Sequence, residues 1–111
     1  MIVDNTVELV SLALDAALMR QTAIANNIAN ANTQGYQAIQ VSFEEQLDQL
    51  SPTEDHHINI KPIYEQSGVP VQLDEQISMS VQNATQYRAL IKGVNHQLAI
   101  MALAVHGNNA S

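Results

Sequence analysis

Apolar residues recur every three or four positions over roughly the first thirty residues, which is the spacing of one face of an α-helix. Gln21 interrupts this stripe, and a second stripe lies on another side of the same helix. The first stripe consists of Val7, Val10, Leu14, Ala17, Ile24, Ile28 and Ala31, and the second of Leu12, Ala16, Met19 and Ala23. With Asp4 or Asn5 as its cap, the pattern predicts a helix about 40 Å long that ends near Ala31 and contacts several partners.

A second long stripe predicts a helix over about residues 73–107. Its apolar positions are Ile77, Val81, Ala84, Tyr87, Ile91, Val94, Leu98, Met101 and Val105. Asp74 and Glu75 fall in the first predicted turn, where acidic side chains interact favourably with the helix dipole. Gly93 disfavours the helix by about 1 kcal/mol relative to Ala, which a closely packed neighbouring backbone could offset.

The segment between these helices, residues 36–72, has a mixed pattern. Gln37 to Val41 is predicted to be extended, and the next four residues, Ser42 to Glu45, are typical of a capping box at the start of a short helix. Residues 53–72 alternate weakly and contain a candidate turn at Ser67-Gly68, so they predict a loop or a small hairpin. The fold class expected is all-α: two long antiparallel helices in a hairpin or coiled-coil arrangement, with a short middle segment that is irregular or forms a small hairpin.

The amount of core-forming material is small for a chain of 111 residues. One domain is expected, with a first helix and turn over residues 1–35, a middle segment over 36–72 and a second helix over 73–107. There are one Phe, three Tyr and no Trp, although aromatic side chains supply much of the buried area in small cores. Two interpretations remain: a weakly stable helical domain, or a subunit that completes its core in an assembly.

Charge and cysteine content exclude several classes of protein. The net charge is −7 with only four Lys and Arg, which argues against binding nucleic acid. Most of the acidity lies in residues 36–72, where six acidic side chains oppose one Lys. Without cysteine there is neither a disulfide framework nor thiol catalysis. The N-terminus has no basic region of a secretory signal, and no stretch is long and apolar enough to predict membrane insertion.

Candidate chemistry outside the helices is sparse. Glu54-Asp55-His56-His57 is the one cluster of metal-ligand side chains. Adjacent histidines point to different sides of a strand or helix and rarely share an ion, so a solvated loop is expected. There is no phosphate-binding glycine loop, nucleophile elbow or pair of acids in an apolar setting. We therefore expect no enzyme, no cofactor and no small-molecule substrate.

The segment from Arg20 to Tyr36 stands out because it is rich in alanine and asparagine. Its asparagines could form an ordinary exposed polar face, but such faces usually carry Glu and Lys, which are better helix formers. Asparagine within a close alanine-rich contact instead specifies register, which favours an interface. The segment ends at Asn32-Thr33-Gln34-Gly35, where Gly35 is expected to be left-handed, followed by Tyr36 as an anchor.

The run Ala25-Asn26-Asn27-Ile28-Ala29-Asn30-Ala31-Asn32-Thr33, followed by Gln34, Gly35 and Tyr36, resembles the N-terminal signature of the bacterial flagellar basal-body rod and hook family. The resemblance covers roughly residues 12–43. The family usually has Pro where this chain has Gln34, so a looser turn is expected. Residues 83–105 resemble the C-terminal helix of the proximal-rod type.

The resemblance implies a structural function: copies packed helically into the drive shaft that transmits torque to the hook. It implies as partners the chain's own copies, other rod proteins and the ring or export-gate adaptor at the rod base. It also implies export by the flagellar type III system without a cleaved signal peptide. The alternative is a soluble helical-hairpin export chaperone or binding module of a type III secretion system.

The residues expected at the assembly interface come from the signature segment and from the stripe of the second helix. They are Ile24, Asn26, Asn27, Ile28, Asn30, Ala31, Gly35, Tyr36, Tyr87, Ile91, Val94, Leu98 and Met101.

Overall fold

The computed structural model describes residues 2–49 and 60–110. In chain order the elements are α1 (Ile2–Ala29), β1 (Gln37–Ser42), α2 (Glu44–Asp48), β2 (Ile63–Pro70) and α3 (Leu73–Ala110). The molecule measures 67 × 30 × 14 Å with a radius of gyration of 18.0 Å, against about 13 Å for a compact domain of similar length. An elongated, thin molecule of this kind has little interior to fill.

The two long helices pack antiparallel, as the two apolar stripes predicted. The side chain of Gln21 bonds Ser80, and Asn27 bonds Gln76, so the end of α1 lies beside the start of α3. Because α1 has 28 residues and α3 has 38, the last ten residues of α3 extend past the beginning of α1. At the helical rise this overhang, residues 101–110, is about 15 Å long.

The middle segment forms a two-stranded antiparallel sheet, so the all-α prediction is wrong in this part. Gln37 pairs with Pro70 and Ile39 with Gln66, and an irregularity separates these two pairs. Gly68 lies in the irregularity with φ +80°. Ser67-Gly68 is therefore a bulge within β2 rather than the turn of a separate hairpin. The second strand is supplied by a segment whose weak alternation did not specify a partner.

The small core lies where α1 meets this middle segment. Ala16 and Ala23, from the second stripe of α1, pack with Val41 and Phe43. Partly buried side chains surround them: Leu12, Ala13, Met19, Ile39, Leu47 and Ile60. The two stripes of α1 thus contact different partners within one chain, since the first faces α3 and the second faces the sheet and α2.

Several predicted boundaries differ from the structure. The first helix begins at Ile2, upstream of the caps expected at Asp4 or Asn5, and it ends at Ala29 rather than near residue 31. The second begins at Leu73 as predicted but continues to Ala110, past the end expected at residue 107. Helix ends fray and their assigned limits vary by one or two residues, which is the size of the difference at Ala29.

The capping box is displaced by one residue. Phe43, not Ser42, occupies the N-cap position of α2 and makes no side-chain capping bond. The returning half of the motif is present, because the Phe43 N–H donates to Glu45 Oε2 at 3.2 Å. Ser42 instead ends β1, which takes it out of the capping position.

Candidate assembly surface

Asn27 joins three elements of the chain through a saturated amide. It is 1% exposed, and its Nδ2 donates to the Ile39 carbonyl at 2.9 Å and to Gln76 Oε1 at 3.0 Å. Its Oδ1 accepts from the Ile39 N–H at 2.9 Å and from the Tyr36 hydroxyl at 2.8 Å. Four bonds use the full capacity of an asparagine amide. Asn27 thereby fixes β1 and the first turn of α3 against α1.

The neighbouring asparagines make local bonds at the end of α1. Asn26 Nδ2 donates to the Tyr36 hydroxyl at 3.1 Å. Asn30 Nδ2 donates to the Asn26 carbonyl at 2.9 Å, and its Oδ1 accepts from the Thr33 hydroxyl at 3.2 Å. These bonds satisfy backbone and side-chain groups where the helix stops, so the asparagines shape the exit of the chain from α1.

A tight turn leads from this helix end into β1. The Tyr36 N–H donates to the Thr33 carbonyl at 3.2 Å, and Gly35 has φ +80°, as at the third position of a type II turn. The left-handed glycine was predicted, but it lies six residues beyond the last residue of α1 and does not cap the helix. Gln34 occupies the second position, where proline is favoured.

The predicted interface residues fall into three groups by exposure. Ile24 and Asn27 are buried within the chain. The half-buried group is Asn30, Ala31, Tyr36, Tyr87 and Val94. The exposed group is Asn26, Ile28, Gly35, Ile91, Leu98 and Met101. The structure thus brings Asn26, Asn27 and Tyr36 into one network, while the exposed apolar members lie chiefly along α3.

Polar side chains hold the contact between α1 and α3 near the signature segment. Asn83 is 5% exposed; its Nδ2 donates to the Ala17 carbonyl at 2.8 Å and to Gln21 Oε1 at 3.0 Å. Gln21 Nε2 donates in turn to the Ser80 hydroxyl at 2.9 Å. Asn83, Ser80 and Gln76 were not identified from sequence. The available signal was Gln21, whose interruption of the apolar stripe marked a polar contact.

Further along the same pair of helices the contact opens into an apolar groove. Its volume is about 610 Å³, and none of the described residues that line it is charged. The lining residues are Val7, Val10, Ser11 and Leu14 from α1, with Gln86, Ala89, Leu90, Gly93, Val94, Gln97 and Leu98 from α3. Among the described residues, no atom beyond the local helix lies within 4 Å of a Cβ built on Gly93, so the packing described within the subunit does not require a glycine here.

Charged groups near the core tie α2 to α1. The Arg20 guanidinium forms an ion pair with the Glu44 carboxylate. The pKa of Glu45 is lowered, first by hydrogen bonds from its own backbone N–H and that of Phe43, and further by the charge of Arg20 and a bond from Ser42. The carboxylate form of Glu45 is therefore the form that the hydrogen bonds at the start of α2 stabilise.

Residues 2–49 and 60–110 contain no group of three or more His, Asp and Glu side chains able to hold a metal ion. The Glu54 to His57 cluster lies outside the described residues. Within the same ranges no helix is both long and apolar enough to cross a membrane.

Comparison with known proteins was made by family and by individual relatives. A family model described as flagella basal body rod protein matches residues 11–37, which include most of α1, the type II turn and the start of β1. The flagellar basal body rod protein FlgB of Bacillus subtilis (strain 168) is 31% identical over 110 residues, covering 82% of this chain and 85% of the relative. FlgB of Proteus mirabilis (strain HI4320) is 30% identical over 132 residues, covering 94% of this chain and 96% of the relative.

These matches extend over both long helices and the middle segment, so they are not confined to the signature. They favour a structural rod subunit over an export chaperone. The chain belongs to the family of FlgB-like flagellar basal body rod proteins.

Proposed function

We propose that this chain is a structural subunit of the proximal flagellar rod, assembled with its own copies and other rod proteins into the drive shaft for motility. The observation that carries the proposal is the similarity to two FlgB proteins, which spans more than four fifths of this chain and of each relative. The partners include the adaptor at the rod base, and the subunit leaves the cell interior through the flagellar type III system without a cleaved signal peptide.

The surface of the subunit supports a role in assembly. Large apolar side chains are exposed on α3 from its midpoint onwards: Ile91, Leu98, Ile100, Met101, Leu103 and Val105. Contiguous apolar exposure is uncommon on monomeric proteins and marks sites of association. The exposed members of the predicted interface on α3, Ile91, Leu98 and Met101, belong to this surface.

The test is deletion of the gene with complementation, scored by motility and by the presence of the protein in isolated basal bodies. The expected result is loss of motility and of complete rods, with rescue by the intact gene. Secretion is measured in strains with and without a working export gate. Retention in the cytoplasm in both strains would contradict a rod subunit.

A surface variant tests the interface without removing the protein. Ile91→Asp introduces a charge into the exposed apolar face of α3, and we expect lost motility with normal secretion and unchanged thermal stability of the free protein. The matched control is Gln82→Asp, which adds the same charge at an exposed position on another side of α3. Motility retained in Ile91→Asp would remove Ile91 from the interface.

A further inference from the structure

The overhang of α3 and the groove between α1 and α3 form one continuous apolar surface. Leu98 lines the groove and is followed at once by the exposed Ile100, Met101, Leu103 and Val105. Because these residues occupy several sides of the helix, no single partner stripe within the chain can cover them. The subunit therefore carries both a projecting apolar helix end and an apolar recess.

The two features match in length and in charge. The overhang is about 15 Å long, and the groove extends along α3 from Gln86 to Leu98, or about 18 Å at the same rise. The described residues that line the groove include no charged one, and residues 101–107 contain no Asp, Glu, Lys or Arg. Neither surface would have to strip water from a charged side chain on contact.

Gly93 supplies the second sign that a helix docks in the groove. An interior helical glycine disfavours the helix by about 1 kcal/mol relative to alanine, yet among the described residues no atom beyond the local helix approaches its Cβ position. A missing side chain on an open groove wall is what close approach of another helix requires. Gly93 therefore leaves room on the groove wall for the backbone of a second molecule.

We propose that residues 101–107, within the overhang of one copy, dock in the groove of the next copy, lined by Val10, Leu14, Leu90 and Gly93. The contact is heterologous, because the donating and accepting surfaces differ, and repetition of such a contact generates an open helical assembly rather than a closed dimer. The inference rests on the proposed function and specifies which surfaces of the rod subunit meet.

Thiol cross-linking tests the contact cleanly because the chain has no cysteine. The variant carrying both Leu103→Cys and Ala89→Cys, which lines the groove and leaves Gly93 unchanged, is treated with a bismaleimide in isolated basal bodies and as concentrated purified protein. A ladder of covalent multimers is expected, and mixing the two single variants should give covalent dimers containing one of each. A second pair, Val105→Cys with Gln97→Cys, repeats the test at other positions of the same two surfaces.

The matched control joins Leu103→Cys to Asn95→Cys. Asn95 is exposed and two residues from Gly93, which places it on nearly the opposite side of α3. We expect at least a tenfold weaker ladder from this pair. Circular dichroism of each purified variant confirms that the helices are retained.

Three results would overturn the proposal. Cross-linking of Leu103→Cys to itself alone indicates a symmetric contact, and cross-linking only to a different rod protein assigns the overhang another partner. A double variant present in basal bodies without any ladder leaves the rod function standing and removes this contact. Absence of the intact protein from basal bodies instead contradicts the proposed function itself.

Discussion

Asn27 and Asn83 are both buried asparagines at the α1–α3 contact, yet they use their amides differently. Asn27 makes four hydrogen bonds to Tyr36, Ile39 and Gln76. Asn83 makes two through its Nδ2, and among the described residues its Oδ1 is a buried atom without a partner. A buried amide with all its hydrogen bonds formed stabilises the fold. When half of them are missing, the cost of removing the unpaired atom from water offsets part of that stabilisation.

Replacing each asparagine with leucine is therefore expected to have unequal effects. Asn27→Leu leaves buried groups of Ile39, Gln76 and Tyr36 unpaired, at about 1–3 kcal/mol for each, so the free energy of unfolding should fall by more than about 2 kcal/mol. Asn83→Leu removes an amide whose oxygen is already unpaired. This substitution should change the free energy of unfolding by less than about 1 kcal/mol. Urea denaturation of both variants measures the difference. Equal losses would show that the hydrogen bonds of Asn27 are not what stabilises the contact.

Gly35 and Gly93 make a second matched pair, since no atom of the described residues beyond their local chain lies within 4 Å of a Cβ built on either. They differ in conformation: Gly35 has φ +80°, whereas Gly93 is helical. Gly35→Ala should destabilise the monomer by about 1 kcal/mol through backbone strain. Gly93→Ala should stabilise it by up to about 1 kcal/mol through helix propensity. Thermal unfolding checks the opposite signs, and the same sign for both would contradict the assigned conformations.

Gln34→Pro belongs with this turn. Proline is favoured at the second position of a type II turn and reduces the freedom of the unfolded chain, so a gain of about 0.4–1 kcal/mol is expected. Denaturation and motility are measured together. A stabilised but non-motile Gln34→Pro strain would show that this turn must move during assembly.

At the scale of elements, α2 is a single short helix whose position depends on charge. Its start is held by the Glu45 carboxylate, and its attachment to α1 is held by the Arg20–Glu44 ion pair. Exposed ion pairs contribute little by themselves. The pair is useful here because it lies beside Phe43, the largest buried side chain of the small core.

The lowered pKa of Glu45 gives this element a pH dependence. Because the folded-state pKa lies below the unfolded one, the stabilisation is present above the unfolded value and is lost as pH falls through the folded value. Glu45→Gln should therefore reduce the free energy of unfolding at pH 7, and its difference from the natural chain should shrink as the solution is acidified towards pH 3. A difference that stays constant over that range would contradict the role of the carboxylate.

At the scale of the whole molecule, the elongated shape leaves one end of the subunit without tertiary support. Residues 101–107 of α3 are exposed and lie in the overhang, past Ile2, where α1 begins. An isolated helical segment of this length is marginal in water. The free subunit therefore has a weakly protected end that association can order.

Hydrogen exchange measures this directly. In the verified monomer, backbone amides of residues 101–107 should exchange far faster than those of residues 76–90, which pack against α1. In assembled rods the same amides should become protected. Slow exchange of residues 101–107 in the monomer would show that the helix end is stable without a partner.

The sequence by itself determined the long-range plan of this protein. Helical periodicity identified both long helices, and the two stripes of α1 indicated more than one partner. The signature segment predicted the left-handed turn at Gly35, because backbone sterics restrict that conformation largely to glycine. The same segment indicated the family, because close helix contact restricts which residues fit before the turn. These features depend on local spacing, which a sequence displays directly.

Tertiary structure alone decided how Asn27 and β2 are used. The amide of Asn27 fits an interface and an internal network equally well, and only the positions of Ile39 and Gln76 made it internal. The partner of β2 was equally undetermined, because weak alternation fixes a strand but not its neighbour. The overhang, too, arises from the relative register of α1 and α3, a quantity set by Gln21, Ser80 and Asn83 meeting across the contact.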